Sequence, residues 1–201
     1  MKSFIQLISI AMLVLTLCAC SNEAVSKSNT VSVEKLSEKE NAILSTTSDK
    51  SFVFDFNIEN EKKEVRVWIE KYEFGELVED KISDLTSMVE KTGYIIFTTS
   101  KKEESQKHHT FNIGISSNDT FSSLSNFDTD SDKLEKMSST WSSFPDEITE
   151  VNGEVVLASI CYSSTGDMTS LTKDFYKDVE AHMNELEECD VVYLLKTEFI
   201  N

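Results

Sequence analysis

The chain has 201 residues and a formal net charge of −17, from 36 acidic and 19 basic side chains. A surface with this charge repels nucleic-acid phosphates and anionic lipid headgroups, so neither is an expected partner, whereas a cationic or protein partner fits it. The length suits one domain and a tether, and 39% apolar residues can form a buried core.

The N-terminus has the layout of a secretory signal. Lys2 precedes an apolar run over residues 4–17, which is shorter than the roughly 20 apolar residues of a permanent transmembrane helix. The tetrad LCAC at residues 17–20 resembles the lipobox of bacterial lipoproteins. This resemblance implies that residues 1–19 are a signal peptide and that Cys20 carries a diacylglycerol. The protein would then be anchored by lipid to the outer face of the cell membrane.

Residues 20–50 are rich in Ser, Asn, Thr, Glu and Lys and show no sustained apolar period. This composition predicts a flexible, lipid-bearing tether that spans roughly 30 Å. Residues 51–201 are predicted to form a single globular extracytoplasmic domain.

The first elements of that domain alternate with a period of two. Phe52, Phe54 and Phe56 alternate with polar or smaller residues and predict a strand with one buried face. A second strand is predicted over residues 65–69, and a turn at 59–62 would pair it with the first.

Residues 76–91 allow two interpretations. Gly75 suits a type I turn with a G1 bulge, which would lead into a second strand of a hairpin over residues 77–82. The same segment has Val78, Ile82, Leu85 and Val89 at helical spacing, which indicates a helix instead. The turn favours the hairpin, and the helix is kept as the alternative.

The remaining elements are assigned from their apolar pattern. Apolar runs predict strands over 94–99, 111–115, 154–162 and 190–199, and residues 116–131 are predicted to be a serine-rich loop. Helical spacing predicts a short helix through Leu134, Met137 and Trp141, and a longer one through Leu171, Phe175, Val179, Met183 and Leu186. Together these elements predict an antiparallel β-sandwich with a helix near the C-terminus, or alternatively a two-layer α+β fold with an antiparallel sheet.

Three carboxylates form the candidate metal site. Asp128, Asp130 and Asp132 alternate as the oxygen ligands of calcium loops do, but Lys133 stands where an EF-hand needs glycine. They are weak candidates, so no metal and no cofactor is expected. His108 and His109 are adjacent and would point to opposite faces of a strand.

Trp68, Tyr72 and Phe74 could form an aromatic binding patch, although packing between layers is the favoured interpretation. Cys161 and Cys189 are the other pair of interest. In an exported protein they could form a disulfide if their strands are neighbours, or they could be two separate buried thiols.

No nucleophile-elbow motif G-x-S-x-G and no glycine-rich phosphate loop occurs in the chain. The leading hypothesis is therefore a lipid-anchored cell-surface protein that acts as a non-catalytic binding or interaction module. The alternative is an extracytoplasmic enzyme acting on wall or exported substrates, with carboxylates such as Asp128 and Asp130. A pocket with perturbed carboxylates would favour the enzyme, and an aromatic-lined sheet face would favour binding.

Overall fold

A computed structural model describes residues 29–59, 61–101, 109–128, 131–134, 136–145, 147–149, 151–166 and 169–201. Strands make up most of this part of the chain. In order, the elements are β1 Thr30–Val33, α1 Glu38–Thr47, β2 Ser48–Asn57, β3 Glu64–Glu73, β4 Glu76–Glu79, β5 Asp84–Met88, β6 Thr92–Ser100, β7 His109–Ser117, β8 Thr120–Asp128, α2 Ser131–Leu134, β9 Ser138–Ser143, β10 Glu147–Thr149, β11 Val155–Ser163, α3 Lys173–Lys177, a 3₁₀ helix Glu180–Glu188 and β12 Val191–Ile200.

The strands form two antiparallel sheets that pack against each other, so the predicted β-sandwich is confirmed. Sheet 1 has the strand order β10-β1-β2-β6-β7-β8, and sheet 2 has the order β4-β3-β12-β11-β9, with β5 also paired to β3. The central pairs are long and mostly regular: β3 pairs with β12 from Glu64 opposite Ile200 to Glu73 opposite Val191.

The core lies between the two sheets and is filled by alternate residues of their strands. Phe54 and Phe56 of β2 project into it and contact Phe144 and Phe199 from the sheet 2 side, with ring centroids 5.5 and 5.4 Å apart. Each such buried aromatic side chain stabilises the fold by about 1.5–3 kcal/mol. The period of two that predicted β2 therefore corresponds to real burial.

The ordered fold begins earlier than predicted. β1 pairs with β2 and β10, and Val31 is fully buried in the core. Helix α1 follows, with Ser37 and Glu40 forming a capping box at its N-terminus. The predicted tether over residues 20–50 is therefore wrong from residue 30 onward, because a four-residue strand is too short to show a period. Cys20 lies outside the described residues.

The hairpin interpretation of residues 76–91 is correct and the helix is wrong, because β4 and β5 both pair with β3. The turn differs from the predicted one. Phe74 and Gly75 have φ angles of 51° and 82°, and Glu73 pairs directly with Glu76. Two consecutive positive φ angles in a two-residue loop are typical of a type I′ turn, not of a type I turn with a G1 bulge.

Two other predicted elements are wrong. The segment predicted as a serine-rich loop contains β8, which pairs with β7 through a two-residue turn at Asn118-Asp119. Its inward positions include polar residues such as Ser122, which is why no apolar alternation appeared. Trp141 lies on β9 and not on a helix.

The C-terminal helical segment is shorter and broken. Asp178, with φ −145° and ψ 86°, ends α3, and the 3₁₀ helix follows. The helical spacing nevertheless identified the buried side chains, because Phe175 and Leu186 are both inaccessible to solvent. Tyr176 bonds Ser159 of β11, which places this segment on the outer face of sheet 2. Among the described helices, none is long and apolar enough to cross a membrane.

Candidate binding groove

The outer face of sheet 1 carries exposed apolar side chains. Because inward and outward residues alternate along a strand, Tyr94 and Ile96 of β6 project outward while Ile95 and Phe97 fill the core. Tyr94 is 45% exposed and Phe121 of β8 is 62% exposed. The Phe121 ring lies over Gly114 of β7, where a Cβ atom would come within 3.1 Å of it.

Helix α1 and this sheet face form the two walls of a groove of about 320 Å³. Six apolar side chains line it, together with Glu34 and Glu40: Leu36, Ile43, Leu44, Val53, Tyr94 and Ile96. No residue of α1 is fully buried, and Ile43 is 54% exposed. The helix thus leaves apolar surface accessible beside the sheet. A volume of this size suits a few side chains of a partner or a small apolar ligand.

The rim of the groove is acidic. The backbone N–H of Glu34 donates to Val53 of β2, which holds this residue beside the sheet. Burial and the neighbouring Glu34 carboxylate both raise the pKa of Asp55 on β2. A hydrogen bond from the Ser37 side chain lowers the pKa of Glu40. Glu34 and Glu40 therefore place two carboxylates on the groove itself, and Asp55 lies close enough to Glu34 to feel its charge.

The structure brings Trp68 and Tyr72 of the predicted aromatic patch together as buried side chains and leaves Phe74 apart from them. Trp68 and Tyr72 are buried, and both donate to the Glu70 carboxylate, at 3.1 and 2.7 Å. Lys196 donates to the same carboxylate at 3.0 Å. Phe74 alone is exposed, at the tip of the β3–β4 hairpin. Trp68 and Tyr72 thus serve packing and a polar network.

Asp128, the first of the three metal candidates, lies inside the sandwich. It forms an ion pair with Lys71 at 2.9 Å, and the Tyr193 hydroxyl donates to it at 2.6 Å. Asp130 lies outside the described residues. Asp132 is on α2, but its side chain is not among those described. Within the described residues, no group of three or more potential metal ligands occurs.

The strands that carry Cys161 and Cys189 are neighbours, which was the condition for a disulfide. Cys161 is on β11, and Cys189 lies two residues before β12, the strand paired with β11. Both are buried free thiols in the structure. A hydrogen bond between the two thiols, together with burial, raises the pKa of Cys161. The predicted bridge is therefore not formed here, but the two thiols are neighbours.

A family model described as the YgaN domain matches residues 30–199. The chain belongs to the YgaN domain family. No curated protein and no solved structure matches it. The matched range runs from the start of β1 into β12, so the YgaN domain comprises both sheets. The folded domain, for which the sequence analysis named no family, is thereby assigned to one, and its predicted start at residue 51 moves to residue 30.

Lys71, Asp128 and Tyr193 form a buried polar cluster in this YgaN domain, and the pKa values of the lysine and the tyrosine are both raised. Burial, and then the hydrogen bond to Asp128, raise the pKa of Tyr193. Burial lowers the pKa of Lys71, but Asp128 and Glu73 outweigh it, so the net change is upward. Lys71 thus stays an ammonium and Tyr193 a neutral phenol at physiological pH. Neither group is a ready base or nucleophile, and the cluster fits a structural role.

Several residues of the buried cluster and of the groove were not predicted from the sequence. Lys71 continues the alternation of Val65, Val67 and Ile69, the inward residues of β3. This position in the sequence pattern indicated that its charge would be buried. The groove residues of α1 gave a weaker signal. The capping box of Ser37 and Glu40 marked the start of a helix, but nothing local indicated which sheet face it would meet.

Proposed function

We propose that this protein is a lipid-anchored, non-catalytic binding module at the outer face of the cell membrane, and that its α1–sheet 1 groove binds a basic amphipathic segment of a partner protein. The groove carries the proposal, because it combines an apolar floor with an acidic rim. The LCAC tetrad supports the anchor. The YgaN family match covers the sandwich but assigns no activity.

The chemistry of the groove defines its occupant. Leu36, Ile43 and Ile96 favour apolar side chains, and each one buried there contributes about 1.5–3 kcal/mol. Glu34 and Glu40 favour lysine or arginine beside those apolar groups. The net charge of −17 would also accelerate encounter with a basic partner over an anionic one. An amphipathic helix laid in a groove is an established form of such recognition.

The enzymatic alternative is less well supported. It assigned catalytic carboxylates to Asp128 and Asp130, and Asp128 is held by Lys71 and Tyr193 in the interior. A general acid or base needs to reach a substrate, and Asp128 is only 5% exposed.

Peptide binding tests the proposal. The full chain is placed in nanodiscs of zwitterionic lipid, and a basic amphipathic Lys/Leu peptide is titrated calorimetrically, with empty nanodiscs as the blank. We expect saturable binding that weakens with salt. Ile43→Asp should weaken it roughly tenfold to a hundredfold, since it removes an apolar contact worth about 1.5–3 kcal/mol.

Val78→Asp is the matched control, because Val78 on β4 is equally exposed but belongs to the other sheet. It should bind as the wild type does. Equal loss in both variants, or equal affinity for an acidic amphipathic peptide, would contradict the assignment of the groove.

A further inference from the structure

The outer edge of sheet 1 is formed by β8, which among the described strands pairs only with β7, while its inward Ser122 contacts Ser87 of β5 in sheet 2. The two strands are joined by a two-residue turn and stay in regular register from Ser117 opposite Thr120 to His109 opposite Asp128. In such a hairpin, alternate residues bond to the neighbouring strand, beginning with the pair that closes the turn. Phe121, Ser123 and Ser125 therefore direct their backbone N–H and C=O groups toward the outer edge.

This edge lacks the features that usually prevent pairing. Edge strands of soluble proteins commonly carry charges, proline or a bulge. Residues 120–127, TFSSLSNF, contain none of the four charged residue types, no proline and no glycine, although 27% of the chain is charged. Two other edges carry charges, Glu147 on β10 and Glu76 and Glu79 on β4, whereas β9, the remaining edge of sheet 2, is also uncharged but is shorter, with six residues against nine in β8.

The sequence of β8 is nearly symmetric about Leu124. When two copies run antiparallel with Leu124 opposite Leu124, Phe121 of one copy meets Phe127 of the other, and Ser123 meets Ser125. Both phenylalanines lie on the outer face and are exposed, 62% and 49%. Aromatic cross-strand pairs stabilise a sheet, and this arrangement places no like charges opposite each other.

The same arrangement also pairs the outward backbone N–H and C=O groups of the two copies. Ser123 and Ser125 both direct their polar backbone groups outward, so opposite one another they form a hydrogen-bonded pair of an antiparallel ladder. Side-chain pairing and backbone pairing thus select the same register. A two-fold axis through Leu124 generates it, as closed homodimers require.

We propose that β8 is a dimerisation edge, and that its partner is β8 of a second copy of this chain. Sheet 1 then continues across the two-fold axis into sheet 1 of the other subunit. Each copy carries a net charge of −17, which opposes association, so screening by salt strengthens the dimer. This proposal is independent of what the α1–sheet 1 groove binds.

A charge swap tests the surface and the register together. The full chain in a non-ionic detergent is analysed by sedimentation. The wild type should associate more strongly as salt rises from about 0.05 to about 0.5 M. S123K/S125K places lysine opposite lysine and should raise the dissociation constant at least about tenfold. S123K/S125E alters the same two residues but places lysine opposite glutamate, so it should restore the dimer.

Cross-linking in the membrane provides a second measurement. Leu124→Cys should form an intermolecular disulfide on mild oxidation, because Cα atoms of a non-hydrogen-bonded antiparallel pair are about 4.5 Å apart. Ser122→Cys is the control, because Ser122 meets Asn126 and should not cross-link to itself.

Three results would overturn the proposal. The first is a wild-type chain that stays monomeric at every salt concentration. The second is a dimer that S123K/S125K leaves intact, which would place the interface elsewhere. The third is a monomer whose β8 instead pairs with an extended segment of another protein.

Discussion

The Tyr193 hydroxyl donates a hydrogen bond of 2.6 Å to the Asp128 carboxylate and thereby joins the centre of sheet 2 to the edge strand of sheet 1. Lys71 reaches the same carboxylate at 2.9 Å, and the side chains of both ions are 4% exposed. The phenol and the ammonium offset part of the cost of burying the carboxylate. This cluster is a buried ionic link between the two sheets.

Asp128→Asn should destabilise the fold. It removes one of the two carboxylates that pair with the buried Lys71 ammonium, and because Glu73 remains at 3.1 Å, the expected cost is that of a hydrogen bond to a charged group, about 1.5–3 kcal/mol. Tyr193→Phe removes one hydrogen bond to a charged group and should cost about 1.5–3 kcal/mol. Urea unfolding followed by tryptophan fluorescence measures both.

Asp174→Asn is the control for this pair. Asp174 forms an ion pair with Lys177 on α3, but both side chains are exposed and screened by water, so the change should have little effect on stability. Equal effects of Asp128→Asn and Asp174→Asn would contradict a structural role for the buried cluster.

The structure shows which kinds of sequence signal were informative. Phe52, Phe54 and Phe56 predicted β2 because alternation reports directly on burial. β8 was not predicted, because its inward Ser122 contacts Ser87 of β5 through hydroxyl groups and a search for alternating apolar residues does not detect such a contact. The groove could not be predicted, since α1 meets Val53 and Ile96 only after sheet 1 has assembled from distant segments.

The second prediction concerns acid. Burial raises the pKa of Glu70, but hydrogen bonds from Tyr72, Lys196 and Trp68 outweigh it and make the net change downward. A carboxyl group with a lowered pKa in the folded state stabilises the protein above its unfolded value of about 4.3, and this contribution is lost as the pH falls through the folded pKa.

Glu70→Gln should therefore flatten the dependence of the unfolding free energy on pH below about 4.3. Urea titrations at a series of acidic pH values, for wild type and variant, measure this slope. Glu187→Gln, on the exposed side of the 3₁₀ helix, is the comparison. A wild-type slope that Glu70→Gln leaves unchanged would show that other carboxyl groups control acid stability.

The third prediction concerns the β3–β4 turn. Phe74 adopts φ 51°, a left-handed conformation that bulky residues seldom adopt, and its side chain is 65% exposed. Asparagine followed by glycine is strongly preferred in type I′ turns. Phe74→Asn should thus raise the unfolding free energy by about 1 kcal/mol. Thermal melting should show a higher Tm, and Phe121→Asn, at an exposed strand position without positive φ, should show no such gain.

The fourth prediction concerns Cys20. Cleavage before Cys20 places Ala19, a small residue, next to the cut, whereas cleavage before Cys18 would place the bulky Leu17 there. We expect mass spectrometry of the membrane-extracted protein to find a diacylated Cys20 as its first residue. Cys20→Ala should prevent lipidation and leave unprocessed precursor or released protein, and Cys18→Ala should be processed normally. An unlipidated N-terminus at any other residue would contradict this prediction.

The last prediction concerns the two buried thiols. Cys161 lies on β11 opposite Val192 of β12, and Cys189 lies two residues before β12, so the two buried thiols are near neighbours. In an exported protein, exchange with an oxidised dithiol protein would form the bond, and the donor disulfide would be reduced to two thiols. By the chain-entropy estimate, closing this loop contributes about 3.5 kcal/mol.

We expect the protein isolated from its native compartment to contain no alkylatable thiol at these positions after unfolding without reductant. Reduction should then expose two thiols and lower the Tm, and Cys161→Ser should abolish that effect of reductant. Cys161→Ser is also the control for packing, because it retains the size of the side chain while preventing the bridge. Two thiols that react before reduction would show that the pair stays reduced and acts as part of the core.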